Sequence, residues 1–202
     1  MAEPTTGARV SPLAHLAERM RAAAVTGPRG VALSELPFLT MVDLRVDPAA
    51  EAAERLAKAL GAPLPDRCGD ITASARHTLL WLGPDEWLVV SGADGAALTA
   101  GLRAALGPDP GSVVDVSAHR TTLELNGPSA RLVLEKGCPL DLHPRAFGPG
   151  RAVATTVGPV AVLLWQTDDR PGYRLLARSS FAGHLARWLI DAMGEFRAPR
   201  VP

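Results

Sequence analysis

Residues 113–142 read VVDVSAHRTTLELNGPSARLVLEKGCPLDL, and their order of strand, tight turn and helix decides the fold class. Thr121, Leu123 and Leu125 alternate with Thr122, Glu124 and Asn126, the two-residue period of a half-buried strand. Asn126-Gly127-Pro128 stops that strand. Gly127 supplies backbone freedom, and Pro128 suits a first helical turn because it has no amide hydrogen to satisfy. Ala130, Leu132, Val133, Leu134 and Lys136 then fit a short helix over 128–136, with Gly137 as its stop.

Working outward, a loop of Pro and Gly covers 139–150. Strands are expected at about 151–157 and 160–166, divided by Gly158-Pro159, and at 172–177. A last helix is expected over 181–193, capped by Ser179 or Ser180 and ended by Gly194. Its inward residues are expected to be Phe181, Leu185, Trp188, Leu189 and Ala192. The preceding half repeats this order. A strand covers 38–46, and Asp47-Pro48 opens a helix carrying Ala52, Leu56, Ala59 and Leu60, closed by Gly61. Residues 61–70 form a loop. A hairpin of 78–82 and 87–90 turns at Gly83-Pro84-Asp85-Glu86, and a helix follows over 95–106. Both halves read strand, helix, hairpin, helix. Explicit hairpins imply an α+β fold with antiparallel sheets rather than a doubly wound parallel one. The expected organisation is one domain over 31–196, with halves at about 31–111 and 112–196.

Residues 1–30 precede that pattern as an N-terminal arm, and 197–202 follow it as a tail. The first ten residues read as loose. Ser11-Pro12 begins a helix, with Ser11 as N-cap, that sets Leu13, Leu16 and Met20 on one face. Two uses of that face stand open. It packs on its own domain, or it lies on a partner subunit, which makes these three residues candidate subunit contacts.

The balance of 47% hydrophobic and 21% charged residues is that of a globular chain. A net charge of +0 argues against nucleic-acid binding and against a polybasic membrane anchor. The start, MAEPTTGARV, has no apolar core of a signal peptide, and no apolar run is long enough to span a bilayer. Cys68 and Cys138 lie far apart and read as two buried free thiols, which suits a reducing cytoplasm.

Several blocks together resemble a known family. Asp115-Val116-Ser117, Leu125 to Ala130 and Pro139 to Leu142 are joined by Leu82 to Leu88, by Phe147 to Gly150 and by Arg178 to Ala182 before Trp188-Leu189. In order and spacing they resemble the folate-binding aminomethyltransferase superfamily over roughly residues 30–194 and, within it, the gamma-subunit family of heterotetrameric sarcosine oxidases. The resemblance implies two pseudo-repeated ferredoxin-like units. It also implies a place in an assembly that demethylates sarcosine oxidatively to glycine, passes the one-carbon unit to tetrahydrofolate and yields hydrogen peroxide. FAD, FMN, NAD and tetrahydrofolate are expected on partner subunits and none on this chain. The partners would be alpha, beta and delta subunits, with alpha in direct contact.

The residues that carry chemistry in such transferases are weighed against that background. The resembling enzymes place a carboxylate on the strand after a Gly-containing turn. Here the turn is Gly158-Pro159 and the positions are Ala161 and Val162, neither of which transfers a proton. Asp168 and Asp169 are expected beyond the strand, in a turn. Asp115, Ser117 and His119 invite a triad reading. As alternate residues of one strand they would project in parallel about 6.5–7 Å apart, which gives no convergent relay. The five histidines lack helical metal-site spacing, and no Gly-x-Gly-x-x-Gly or Walker loop exists. No catalytic, cofactor-binding or metal residue is therefore expected. His119, Arg120 and Arg178 join Leu13, Leu16 and Met20 as candidate subunit contacts. Two other readings remain: a stand-alone folate-binding module that keeps the pocket without the acid, and a small transferase whose acid comes from elsewhere.

Overall fold

The repeat legible in the sequence exists in space, but its two halves are interleaved. The computed structural model describes residues 9–197; most of the loose start and of the tail expected over 197–202, namely 1–8 and 198–202, lies outside the described residues. A 3-10 turn at Ala14–Leu16 runs into α1 (Ala17–Ala22). The first repeat then reads β1 (Ala32–Leu36), β2 (Thr40–Val46), α2 (Glu51–Leu60), β3 (Ile71–Ala73), β4 (His77–Gly83), β5 (Glu86–Ser91) and α3 (Gly95–Leu106). The second reads β6 (Gly111–Asp115), β7 (Arg120–Asn126), α4 (Ala130–Glu135), β8 (Arg151–Val157), β9 (Val160–Asp168), β10 (Gly172–Arg178) and α5 (Ser179–Met193).

One five-stranded sheet has the order β3-β4-β5-β2-β6 and the other β1-β7-β10-β9-β8. All pairings are antiparallel, as the hairpins required. The first strand of each repeat sits on the edge of the other repeat's sheet. The β1 strand pairs β7 from Ala32↔Asn126 to Leu36↔Thr122, and β6 pairs β2 from Gly111↔Val46 to Asp115↔Val42. The halves 31–111 and 112–196 are therefore not separate spatial units. The first ferredoxin-like unit, strand-helix-hairpin-helix-strand, is closed by β6, which leads into β7; the second is closed by β1, which comes first in the chain and leads into β2.

Three apolar layers hold this together. The faces of Val42, Leu44 and Val46 meet Leu56, Leu60, Leu102 and Leu106 beneath α2 and α3. The outer face of the second sheet, with Leu123, Leu125, Leu164, Tyr173 and Leu175, packs under α1, α4 and α5. Between the sheets, Met41, Leu80, Leu88 and Val90 meet Ala152, Leu163, Trp165 and Leu176. The molecule is thus helix, sheet, sheet, helix.

Local chemistry explains most boundaries and several departures from expectation. The α3 helix starts where Asp94 Oδ1 accepts from the Ala97 amide, and α2 ends at Gly61 in the left-handed region (φ 68°). Asp47 Oδ1 accepts from the Ala49 amide, so Asp47-Pro48 makes a turn and α2 begins only at Glu51. Ala53 rather than Ala59 faces the core. Ser11 does not cap a helix: its Oγ donates to Glu35 Oε2 at 2.6 Å, and the first 3-10 turn begins at Ala14. Neither Ser179 nor Ser180 caps α5. Ser179 Oγ donates to the Ala118 carbonyl, which leaves Arg178 in the N-cap position. Phe181 points outward, 52% exposed. Gly137 follows the Lys136 C-cap of α4, as expected of a stop, and it also serves packing, since a β-carbon there would stand 2.5 Å from Trp188 Cζ2. Cys138 is buried, but Cys68 is exposed, in the loop before β3. A 3-10 turn, Gly194–Arg197, continues past α5 and buries Phe196.

Candidate functional site

The sequence candidates on the central stretch come together where the two sheets meet. In β7, Thr121, Leu123 and Leu125 turn toward the helices, so Arg120, Thr122 and Glu124 turn toward the first sheet. Register then sets Arg120 directly opposite Arg178 of β10. From the first sheet, β2 commits Val42, Leu44 and Val46 to its helices and aims Asp43 and Arg45 the other way. The β5 strand brings Glu86 opposite Arg45, with Arg45 Nη2 2.7 Å from Glu86 Oε2 and its Nε 3.7 Å from Asp43 Oδ1.

Electrostatics at this junction are mutually dependent. Partial burial raises the Asp43 carboxyl above the usual range, and the hydrogen bond and charge of Glu86 add to that. Arg45 and Arg120 pull in the opposite direction. Burial lowers the Arg120 guanidinium, and Arg178 adds to the lowering, while Asp43 and Glu86 oppose it. Three guanidinium groups (Arg45, Arg120, Arg178) meet two carboxyls, so the corner carries surplus positive charge. The signal for Asp43 and Arg45 was present in FLTMVDLRV: two charges spaced by two in a strand that is apolar apart from Thr40.

A tight turn over 116–119 builds the rim. The β6 strand ends at Asp115, so Asp115, Ser117 and His119 do not share one strand as expected. Ser117 Oγ lies 2.5 Å from Asp115 Oδ1 and also accepts from the Met41 amide at 3.0 Å. These Ser117 bonds, led by the side-chain one, hold the Asp115 carboxyl below its usual range. The His119 amide donates to the Val116 carbonyl, and its own carbonyl accepts from the Ser179 amide. His119 itself is exposed. The hydroxyl that a triad would need is thus a turn device that fastens β6 to β2.

The remaining candidates separate from this corner. Leu13, Leu16 and Met20 are 0%, 5% and 2% exposed and belong to the core beneath the second sheet. They are packing residues of their own chain and offer no face to a partner; of the two readings left open, the self-packed one holds. On β9, Ala161 is exposed and Val162 is buried. The strand runs on to Asp168, so Asp168 ends a strand rather than lying in a turn. It lines a hollow of about 600 Å³ with Glu124, Arg170 and Arg174. Within it, Arg174 Nε donates to Glu124 Oε1 at 3.2 Å and its guanidinium lies 4.9 Å from the Trp165 ring centre. The acid at position 124 is engaged by its neighbouring arginine.

The strand–turn–helix is closed by backbone at its glycine. Gly127 has φ 121°, and the space where its β-carbon would stand is filled by the Gly30 carbonyl at 2.5 Å, not left for a ligand. Among the described residues no group of three or more His, Cys, Asp or Glu is arranged to hold a metal ion. Among the same residues no helix is long and apolar enough to cross a membrane.

Known proteins resemble the chain in sequence and in fold. A family model described as sarcosine oxidase, gamma subunit family, matches residues 43–195. The sarcosine oxidase subunit gamma of an Arthrobacter species is 48% identical over 98% of this chain and 96% of its own length. That of Corynebacterium sp. strain U-96 is 47% identical with the same coverage. A solved chain of heterotetrameric sarcosine oxidase from Corynebacterium sp. U-96, in complex with pyrrole 2-carboxylate, superposes with a TM-score of 0.92 at 47% identity. The match covers 96% of this chain and 99% of that one. The glycine cleavage system aminomethyltransferase T of Bartonella henselae matches at TM-score 0.66 and 17% identity, over 96% of this chain and 59% of that one, a likeness of fold alone.

Proposed function

We propose a function from one premise: the chain belongs to the sarcosine oxidase gamma subunit family. On that premise it serves as the gamma subunit of a heterotetrameric sarcosine oxidase and supports the reaction without supplying a catalytic group. The assembly oxidises sarcosine to glycine, hands the one-carbon unit to tetrahydrofolate and releases hydrogen peroxide in the cytoplasm. FAD, FMN, NAD and tetrahydrofolate sit on the partner subunits, and the alpha subunit is the direct neighbour among alpha, beta and delta. The observation that carries this reading is the TM-score of 0.92 over nearly the whole of both chains with a subunit of such an assembly.

The chain's own chemistry supports a scaffold role. Its Ser117 hydroxyl and Asp115 carboxylate are spent on a turn, its Gly127 cradle is filled by backbone, and β9 carries Ala161 and Val162. What it does supply is a preformed two-sheet body that neighbouring chains can be built against.

Co-expression with the alpha, beta and delta chains tests the reading. The expected result is a yellow complex holding this chain in fixed proportion, while the chain expressed alone is colourless. A chain that stays out of the complex, purifies as a monomer and binds tetrahydrofolate tightly in calorimetry would overturn it in favour of a stand-alone folate module.

A further inference from the structure

The corner around Arg178 carries features that are unfavourable in the chain by itself. Arg178 faces Arg120 across β7 and β10, and like charges directly opposite each other in an antiparallel pair repel. It also occupies the N-cap position of the 15-residue α5, where the helix dipole disfavours a cation. The acids that act on its partner Arg120 are already engaged: Glu86 pairs with Arg45 at 2.7 Å, and Asp43 Oδ1 lies 3.7 Å from Arg45 Nε. Among the described residues the Arg178 guanidinium makes no ion pair or hydrogen bond. Beside it, Phe181 is 52% exposed one turn into α5. Val114, across β6–β2 from Asp43, is 45% exposed.

We propose that this corner is the surface by which the chain docks on a partner subunit, and that its occupant pairs a carboxylate with an apolar side chain. The inference rests on the assembly proposed above. An incoming carboxylate takes the bidentate face of the Arg178 guanidinium and screens it from Arg120. The accompanying apolar group covers Phe181 and Val114, and arginine and aromatic residues are the types enriched at interface centres. A second copy of the same corner is a poor occupant, because two surpluses of positive charge repel. Nucleic acid is a poor one too, given the overall charge of +0. The 116–119 turn, fastened to Ser179, holds His119 and Arg178 in fixed relation, so the surface is formed before docking.

The test uses the co-expressed complex and the variants Arg178→Glu, Arg178→Ala and Phe181→Ser, with Lys58→Glu on the exposed side of α2 as a control. Dissociation of this chain is followed by mass photometry across a salt series. Arg178→Glu and Phe181→Ser are each expected to weaken retention about tenfold or more, and Lys58→Glu to leave it unchanged. In the isolated chain, Arg178→Ala is expected to melt at the wild-type temperature or higher, because it relieves Arg120. A residue needed only for folding would lower it. Wild-type incorporation with undiminished retention of both Arg178→Glu and Phe181→Ser overturns the proposal. So does protection of Arg178 by inorganic phosphate alone with no loss of assembly in the variants. Failure of the wild-type chain to join any complex overturns the assembly reading itself, and this inference with it.

Discussion

The carbonyl oxygen of Gly30 stands 2.5 Å from where a β-carbon on Gly127 would be, and Gly30 also accepts a hydrogen bond from the Ser129 amide. This contact ties the segment leading into β1 to the turn that starts α4, so it fixes the edge strand that the first repeat lends to the second sheet.

Gly127→Ala should therefore destabilise the chain. It adds a side chain at φ 121° and forces two backbones apart, together worth roughly 2–4 kcal/mol. Denaturant melts of the isolated variant check this. An unchanged midpoint would mean that the 30–31 segment moves aside freely.

Leu13→Ala should cost about 3 kcal/mol, the usual scale for emptying a fully buried leucine site. The loss should appear in the isolated chain, without partner subunits. A loss seen only as weaker subunit association would return Leu13 to a contact role.

The junction of Asp43 and Glu86 sets a pH dependence with a definite sign. The Asp43 carboxyl is raised in the folded state, so folding favours its protonated form. Its contribution to stability is greatest at low pH and declines as pH rises through the raised value. Asp43→Asn keeps a hydrogen-bond donor for Glu86 and removes the repulsion. Its melting temperature is expected to equal or exceed that of wild type at pH 8, with the gap closing toward pH 4. Melting curves over that range decide the sign, and a deficit at pH 8 would contradict it.

The two thiols should react differently. In the folded chain a thiol-specific reagent should titrate Cys68 at once and Cys138 only after unfolding. Mass spectrometry of the labelled peptides identifies which cysteine reacted. Simultaneous labelling of both would show that the layer beneath α4 opens readily.

What the sequence determined by itself lies in its local signals. Period-two alternation in 121–126, the Gly-Pro and Gly-Pro-Asp-Glu turns, and helical spacing in 95–106 depend on neighbouring residues only. The structure reproduces them as β7, the β8–β9 and β4–β5 turns, and α3. The pairing of Arg120 with Arg178 was half legible: both were singled out, though as separate contacts rather than as opposed residues. Tertiary structure alone decided the rest. The short β1 stretch ALSEL has little pattern of its own and is a strand because β7 offers it an edge. Which sheet receives β1 and β6 depends on partners about 65 to 95 residues away, from Val46↔Gly111 to Ala32↔Asn126, and no local period encodes that. The same holds for Leu13, Leu16 and Met20. A stripe at helical spacing announces that it must be buried, but only the assembled sheet shows that its own chain does the burying.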